Sequence, residues 1–307
     1  MGSAGGDEEY ICSLTHYARS VGFPSTRLRV FKDPTDEVKL TLLRAADIFT
    51  SPADSIQEAF GLAPVEAMAC GVPQVVADWD GYRETVDHGK TGFLVPTLWA
   101  RCDQELSDTG FLFDWTHDHE ILGQSVAMDV EYWRDAILTL VQNAELRRTM
   151  SLASRKRAEA LYSMKSVQRQ YYDLWGDLVA HPVLANNKRL GHLARPRYYD
   201  WFGHFASTQV STITTIEVVR HPDKLARLEK AGAFGRCVSK DIVYSILNIA
   251  AEAGGSIAVA EVLDSLASKW DSTVVLRHVM WALKYGALKT AAGHQANTTN
   301  KGADSEP

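Results

Sequence analysis

Glu58 and Glu66 stand eight positions apart, on either side of a glycine-containing turn, in the run Ser55-Ile-Gln-Glu58-Ala-Phe-Gly61-Leu-Ala-Pro-Val-Glu66-Ala-Met-Ala-Cys-Gly71-Val-Pro73. Carboxylates accept hydrogen bonds from sugar hydroxyls. The free N–H groups of a turn that opens a helix, together with the partial positive charge of the helix end, attract phosphate. A single glutamate in a first helical turn has a plainer use, since it simply complements the dipole. Two acids bracketing a glycine turn point instead to a ligand with hydroxyls at both ends and phosphate between them, a nucleotide sugar.

Such a turn needs a strand before it and a helix after it. Residues 27–31 alternate like a short strand, 36–46 repeat like a helix with Asp36 near its cap, and 48–50 form another brief strand. Residues 62–70 read as a small-residue helix that Gly71 ends, and Pro73 precedes the apolar strand 74–77. The glycines of 88–92 suit a tight turn before a strand over 93–96. The region is therefore expected to be α/β, a Rossmann-like parallel sheet with flanking helices. Residues 10–21 carry a further helical pattern ahead of it. Residues 99–124 show no sustained period and are expected as an insertion or long surface loop. Residues 130–142, 145–160 and 166–178 return to helical spacing, the last with an apolar stripe of Val167, Tyr171, Leu174, Trp175 and Leu178.

Four segments complete the ordered motif set: Ala45-Ala-Asp47-Ile-Phe-Thr-Ser51-Pro52, Glu58-Ala-Phe-Gly-Leu, Glu66-Ala-Met-Ala-Cys-Gly-Val-Pro73 and His88-Gly-Lys-Thr-Gly-Phe-Leu-Val95. In order and approximate spacing they resemble the E-x7-E signature of retaining GT-B glycosyltransferases, the large group 1 family that includes sucrose synthases and mannosyltransferases. The resemblance implies the C-terminal, donor-binding half of that fold, at the mouth of an open α/β sheet. It implies transfer of a hexose from a nucleoside diphosphate sugar to an acceptor hydroxyl. By that resemblance Glu58 is the catalytic residue, contacting the donor-sugar hydroxyls and facing the reacting anomeric centre, and Glu66 binds the ribose hydroxyls. Phe60, Gly61 and Leu62 present backbone amides to the diphosphate, and Phe31 and Asp33 lie in the loop that grips the base. Preoriented amides lower the barrier as the leaving diphosphate gains charge. The family does not need a divalent cation for donor phosphate, so no metal or other cofactor is expected. The family's acceptor domain, its basic diphosphate residues and its sugar-side histidine match nothing here. The expected partners are therefore the nucleotide sugar, an acceptor of unstated identity, and a separate N-terminal Rossmann-like domain or a second copy of the chain. As an isolated chain the enzyme is expected to be incomplete. The competing expectation is a noncatalytic scaffold that keeps the donor domain and recruits a partner through its helical extension.

Other constellations are given plainer readings. His117-Asp-His119-Glu120 is too crowded for a metal site and reads as a solvated loop, and Asp78-Trp-Asp80 matches a DxD pair by accident. Arg189, Arg195 and Arg197 interleave with Tyr198, Tyr199, Trp201 and Phe202, a pattern expected to anchor one part of the chain on another rather than to stack bases. Helical patterns over 238–253, 259–270 and 273–285 have the lengths of a winged-helix-like module. Arg277, His278 and Lys284 would lie on or near its third helix, and an accessory role is preferred to DNA reading.

At 307 residues the expected organisation is a donor domain over 1–180, a linker and anchoring segment over 181–235, a small helical module over 236–292 and a disordered polar tail over 293–307. A net charge of −6 gives no general attraction to nucleic acid or anionic membrane. Cys12, Cys70, Cys102 and Cys237 are scattered, no apolar run is long enough to span a bilayer, and the N-terminus has no signal-peptide pattern. A soluble, cytoplasmic protein is expected.

Overall fold

The computed structural model describes residues 8–104, 106, 115–181, 198–219, 224–230, 232–234 and 238–291. Helices α1 (Glu8–Ser20) and α2 (Asp36–Ala45) lead into strand β1 (Phe49–Ser51). Helix α3 (Leu62–Ala69) connects β1 to β2 (Gln74–Ala77), and the short α4 (Tyr82–Thr85) connects β2 to β3 (Gly92–Val95). The three strands form one parallel sheet in the order β1-β2-β3, with Thr50 opposite Val75 and Val76 opposite Leu94. This is the α/β arrangement expected from the sequence.

All four residues of β2 are buried, because a central parallel strand is covered on both faces. Successive side chains point to opposite sides. Val75 packs with Ala136 and Leu140 of α6 (Val130–Gln142) and Met150 of α7 (Ala144–Tyr162), whereas Val76 packs with Tyr82 and Val86. The side chains of Asp129 and Asn143 accept from Tyr132 N and Leu146 N, capping α6 and α7 where the sequence changes from one helix to the next. Helix α8 (Met164–Ala180) follows, capped by Ser163, and buries none of its residues.

The second sheet is built around strand β4 (Thr97–Ala100), with β5 (Ala127–Met128) antiparallel on one side and β6 (Thr208–Val210) parallel on the other. Helix α5 (Trp115–Ser125) lies between β4 and β5 in the chain, and α9 (Tyr198–Phe202) precedes β6. The third sheet is antiparallel, with β7 (Thr215–Val218) between β8 (Ser256–Ala258) and β9 (Leu288–Thr290). Around it stand α10 (Lys224–Lys230), α11 (Lys240–Glu252), α12 (Val259–Leu266) and α13 (Ser272–Lys284).

Strand β4 joins two cores. Trp99 enters an aromatic cluster with Trp79, Tyr199 and Phe205, while Leu98 and Ala100 enter the core of the third sheet beside Val279, Met280 and Trp281 of α13. Helix α13 is therefore packed onto the middle sheet and shares one core with α11 and α12.

Two expectations about elements are corrected. Residues 27–31 are not a strand: Ser25–Arg27 is a 3-10 turn, Leu28 after it is extended, and among the described residues this segment pairs with no neighbour, leaving Val30 and Phe31 exposed. Residues 99–124 are not a long surface loop, since they include the end of β4 and nearly all of α5. Strand β4 is buried at every position and so shows no alternation to read. Helix α2 agrees with its expected bounds: Thr35 caps it, its hydroxyl accepting from Val38 N, and Asp36 is the first helical residue beside that cap. Arg189, Arg195, Arg197, Cys237 and the tail 293–307 lie outside the described residues.

Candidate functional site: an acidic turn on a glycine-tyrosine floor

Strand β1 ends at Ser51, and the chain then turns through residues 52–61 before α3 begins. Gly61 starts the helix with φ +78°, the left-handed region that glycine enters without steric cost. The floor of the turn is the start of α4. A Cβ on Gly61 would sit 2.2 Å from Cε1 of Tyr82, and one on Gly81 would sit 2.0 Å from the carbonyl oxygen of Ala59 and 2.8 Å from Cα of Phe60. Both glycines are needed for two pieces of chain to approach this closely.

Tyr82 is only 1% exposed, and its hydroxyl lies 2.9 Å from Ser51 Oγ at the end of β1. Burial pushes its phenol up to about 12, reinforced by the neighbouring Glu58 carboxylate and opposed by the Ser51 hydrogen bond. Glu58 is half-buried beside that hydroxyl. Phe60 stacks edge-on with Tyr162 and stays 42% exposed, and Leu62 is 69% exposed.

The first amides of an α-helix have no intrahelical acceptor. Among the described residues nothing accepts from the N–H groups of Phe60, Gly61 or Leu62. Pro64 contributes no N–H, while its carbonyl accepts from the buried Gln74 side chain at 3.0 Å and so pins α3 to β2. The helix start thus has backbone donors without an acceptor among the described residues, above a closely packed floor.

Glu66 lies one helical turn beyond Leu62, on the same face of α3. Its carboxylate accepts from Lys39 Nζ of α2 at 2.8 Å, a bond that raises the Lys39 pKa, with a weaker contribution from Asp36 at 3.5 Å. Phe31 and Asp33 sit just ahead of α2. Asp33 has φ +43°, and Phe31 is exposed. The structure therefore brings Glu58, Phe60, Gly61 and Leu62 together in one turn and sets Glu66 on the same helix. Among the described residues no hydrogen bond joins Phe31 or Asp33 to that turn.

The residues that sequence reasoning passed over are those beneath and behind the turn: Ser51, Gly81, Tyr82 and Lys39. Gly81-Tyr82 follows the Asp78-Trp-Asp80 triplet, whose members all have structural partners. Asp78 pairs with Arg83 at 2.5 Å, Trp79 is buried in the aromatic cluster, and the Asp80 amide donates to Phe205 O at 3.2 Å. Only the adjacency of a glycine to a large aromatic residue could have marked the floor. Among the described residues no three His, Cys, Asp or Glu side chains gather as a metal site. A groove of about 330 Å³ between Asp87, Lys90 and Thr91 on one side and Lys156, Arg157 and Leu161 on the other includes none of the acidic-turn residues.

The third helix of the C-terminal module is not free to enter a DNA groove. Arg277 and His278 are buried, and His278 accepts from Ser239 N at 2.8 Å and donates to Val274 O at 2.7 Å. Lys284 is bound to residues of the acidic-turn loop and α5. Downstream of α8, Tyr198 donates to Asp118 at 2.6 Å and Tyr199 N donates to Asp103 at 2.8 Å, so this aromatic segment is bonded into the middle sheet's core. Among the described residues no helix is long and apolar enough to cross a membrane.

Residues 16–101 match the family described as glycosyl transferases group 1. The chain is 29% identical over 148 residues to D-inositol 3-phosphate glycosyltransferase of Paenarthrobacter aurescens, a match covering 46% of this chain and 33% of the relative. It is 41% identical over 96 residues to the D-inositol 3-phosphate glycosyltransferase of Corynebacterium kroppenstedtii, covering 30% and 20%. The phosphatidyl-myo-inositol mannosyltransferase of Mycobacterium leprae is 35% identical over 91 residues, covering 30% and 22%. The matches span a third or less of these relatives' length. Among solved structures, sucrose-phosphate synthase from Thermosynechococcus elongatus aligns with TM-score 0.41 at 22% identity, over 58% of this chain and 37% of that one. Anabaena HepE in complex with UDP-glucose aligns with TM-score 0.39 at 21% identity, over 57% and 38%. The matched stretch contains the acidic turn, its glycine-tyrosine floor and the whole parallel sheet, so the similarity to glycosyl transferases group 1 lies in residues 16–101.

Proposed function

We propose that this chain is the donor-binding half of a retaining glycosyltransferase that takes a hexose from a nucleoside diphosphate sugar and delivers it to an acceptor hydroxyl. The observation that carries this reading is the acidic turn: amides of Phe60, Gly61 and Leu62 without an acceptor among the described residues, on a seat built by Gly61, Gly81 and Tyr82, with Glu58 at one end and Glu66 one helical turn beyond Leu62. In this reading the amides and the start of α3 hold the diphosphate and stabilise the charge it gains as the bond to the anomeric carbon breaks. Glu58 orients the sugar at the reacting centre and Glu66 takes the ribose hydroxyls. Lys39 gives up part of its hold on Glu66 when they arrive. Phe31 and Asp33 line the base side, ahead of α2. The backbone donors take the role a cation has elsewhere, so the reading assigns no metal.

The acceptor enters from a second body, either an N-terminal Rossmann-like domain or another copy. Helix α8 favours such a partner, because Tyr171, Leu174, Trp175 and Leu178 are all half-exposed or more. The same helix favours a second reading, in which the chain binds a partner and a nucleotide sugar without turnover. An assay of transfer after supplying the partner separates the two.

Titration calorimetry with UDP-glucose and GDP-mannose tests the donor reading. Glu58→Gln is expected to lower transfer by a factor on the order of 100 or more while changing nucleotide affinity little. Glu66→Gln is expected chiefly to weaken nucleotide binding, by about tenfold. The opposite pattern reverses the two roles, and no affinity in either the chain or its reconstituted complex ends the reading.

A further inference from the structure

We infer that Lys284, at the C-terminal end of α13, is a positioning residue for the loop that carries Glu58. Its effect on ligand binding rests on the donor-site reading above, while its effect on the loop stands without it.

The loop is secured at three consecutive residues before it reaches the acid. Asp54 is paired with Lys284, the Ser55 carbonyl accepts from the Trp79 indole at 3.0 Å, and Ile56 is buried in the aromatic cluster with Trp79, Ile121, Leu122 and Tyr199. The Glu58 amide then donates to Ser55 O at 3.0 Å. Any freedom at residues 54–56 is therefore transmitted to Glu58 within one turn of chain. Two of these three tethers come from the parallel-sheet region and its aromatic core. The tether at Asp54 comes from a helix 230 residues away in sequence.

Lys284 is well placed to act as a fixed point. Its side chain is 19% exposed, and besides Asp54 its ammonium donates to the carbonyl of Gly123 in α5 at 2.6 Å. The helix behind it cannot yield easily, because Val279, Met280, Trp281, Ala282 and Leu283 are all buried. A largely desolvated ammonium needs acceptors on more than one side, and here one is the loop and the other is the middle layer. The floor of the turn is strapped from the same direction. Arg83, next to Tyr82, donates to the carbonyls of His204 and Phe205 at 3.0 and 2.8 Å. Residues C-terminal to position 200 thus hold both the loop that carries Glu58 and the floor beneath Gly61. Simple glue between two layers would not require the contact to fall four residues ahead of the acid.

The test is hydrogen exchange of the full chain, resolved over residues 52–62, in parallel with calorimetric titration of UDP-glucose and GDP-mannose. Lys284→Met is expected to speed exchange over 52–60 by about tenfold while leaving α7 unchanged. It is also expected to weaken binding of whichever donor the parent chain takes, at temperatures where the variant is fully folded. Lys284→Arg, which keeps the charge and both acceptors within reach, should restore both properties. Lys289→Met, which removes the cross-strand pairing with Glu217 inside the third sheet, should change neither. If Lys284→Met fails to fold, Asp54→Asn makes the same cut from the loop side. Unchanged exchange over 52–60, or faster exchange with undiminished donor affinity, overturns the inference and leaves the donor reading intact. Faster exchange in a chain whose parent binds neither nucleotide sugar sinks the donor reading and supports the brace.

Discussion

At the scale of residues, the candidate site rests on two glycines for different physical reasons, and alanine substitution separates them. Gly61 has left-handed backbone and a tyrosine ring where a Cβ would go, so Gly61→Ala combines about 1–2 kcal/mol of backbone strain with displacement of Tyr82. Gly81 has ordinary helical φ and no strain of its own, but its Cβ would enter the backbone of Ala59 and Phe60. Gly81→Ala is therefore expected to cost roughly 1–3 kcal/mol and to push the acidic turn outward. Gly89→Ala, with left-handed φ and open space around it, is the control that shows strain alone. Denaturant unfolding ranks the three, and equal losses would mean that close approach is not the reason for Gly81. Tyr82 supports a pH prediction. Its pKa is raised on folding to about 12 from an unfolded value of 10, so between these values the native state binds more protons than the unfolded chain. Its contribution is complete below pH 10 and falls as pH rises toward 12. Tyr82→Phe should flatten the alkaline loss of stability over that window, and an unchanged slope would assign the loss to other tyrosines.

At the scale of elements, α13 shows how tertiary context redirects a familiar pattern. Three helices with a small antiparallel sheet suggest a groove-reading third helix. Here that helix is the layer that joins the module to β4 and β5, and Trp281 forms its centre. The Trp281 ring packs against the tilted rings of Phe234 and Tyr285, and its indole donates to Ala233 O at 3.1 Å. Trp281→Ala is expected to cost about 3–5 kcal/mol. Since Leu98, Ala100 and Ala127 share this core, near-UV circular dichroism of the aromatic cluster should be lost together with the module's helices. Separate transitions for the two would show that the layers unfold independently. Helix α3 makes the complementary point. Its eight residues were readable from Gly61, Gly71 and Pro73, yet its precise seat depends on Gln74 reaching Pro64 and on Lys39 reaching Glu66, neither of which is a local interaction.

At the scale of the whole molecule, local signals and long-range ones divide cleanly. The parallel strands β2 and β3, helices α6, α7 and α13 and the acidic turn were legible because their information lies within a few residues: helical spacing, a glycine that permits a left-handed start, and an ordered set of short motifs. The segment 27–31 misled because alternation describes a strand only if another strand is there to receive its hydrogen bonds. Strand β4 and helix α5 were missed because a strand buried on both faces has no alternation to display. The amino-acid sequence by itself determined the α/β class of the first hundred residues, their resemblance to a glycosyltransferase family and the two glutamates to question. Only the tertiary structure decided what holds those glutamates in place: the floor of Gly81 and Tyr82, the Lys39 contact to Glu66 and the reach of Lys284 to Asp54. The reason is physical. Backbone conformation and periodicity are properties of neighbours along the chain, whereas close packing and the pairing of partly buried charges depend on which distant residues the completed fold brings within a few ångströms.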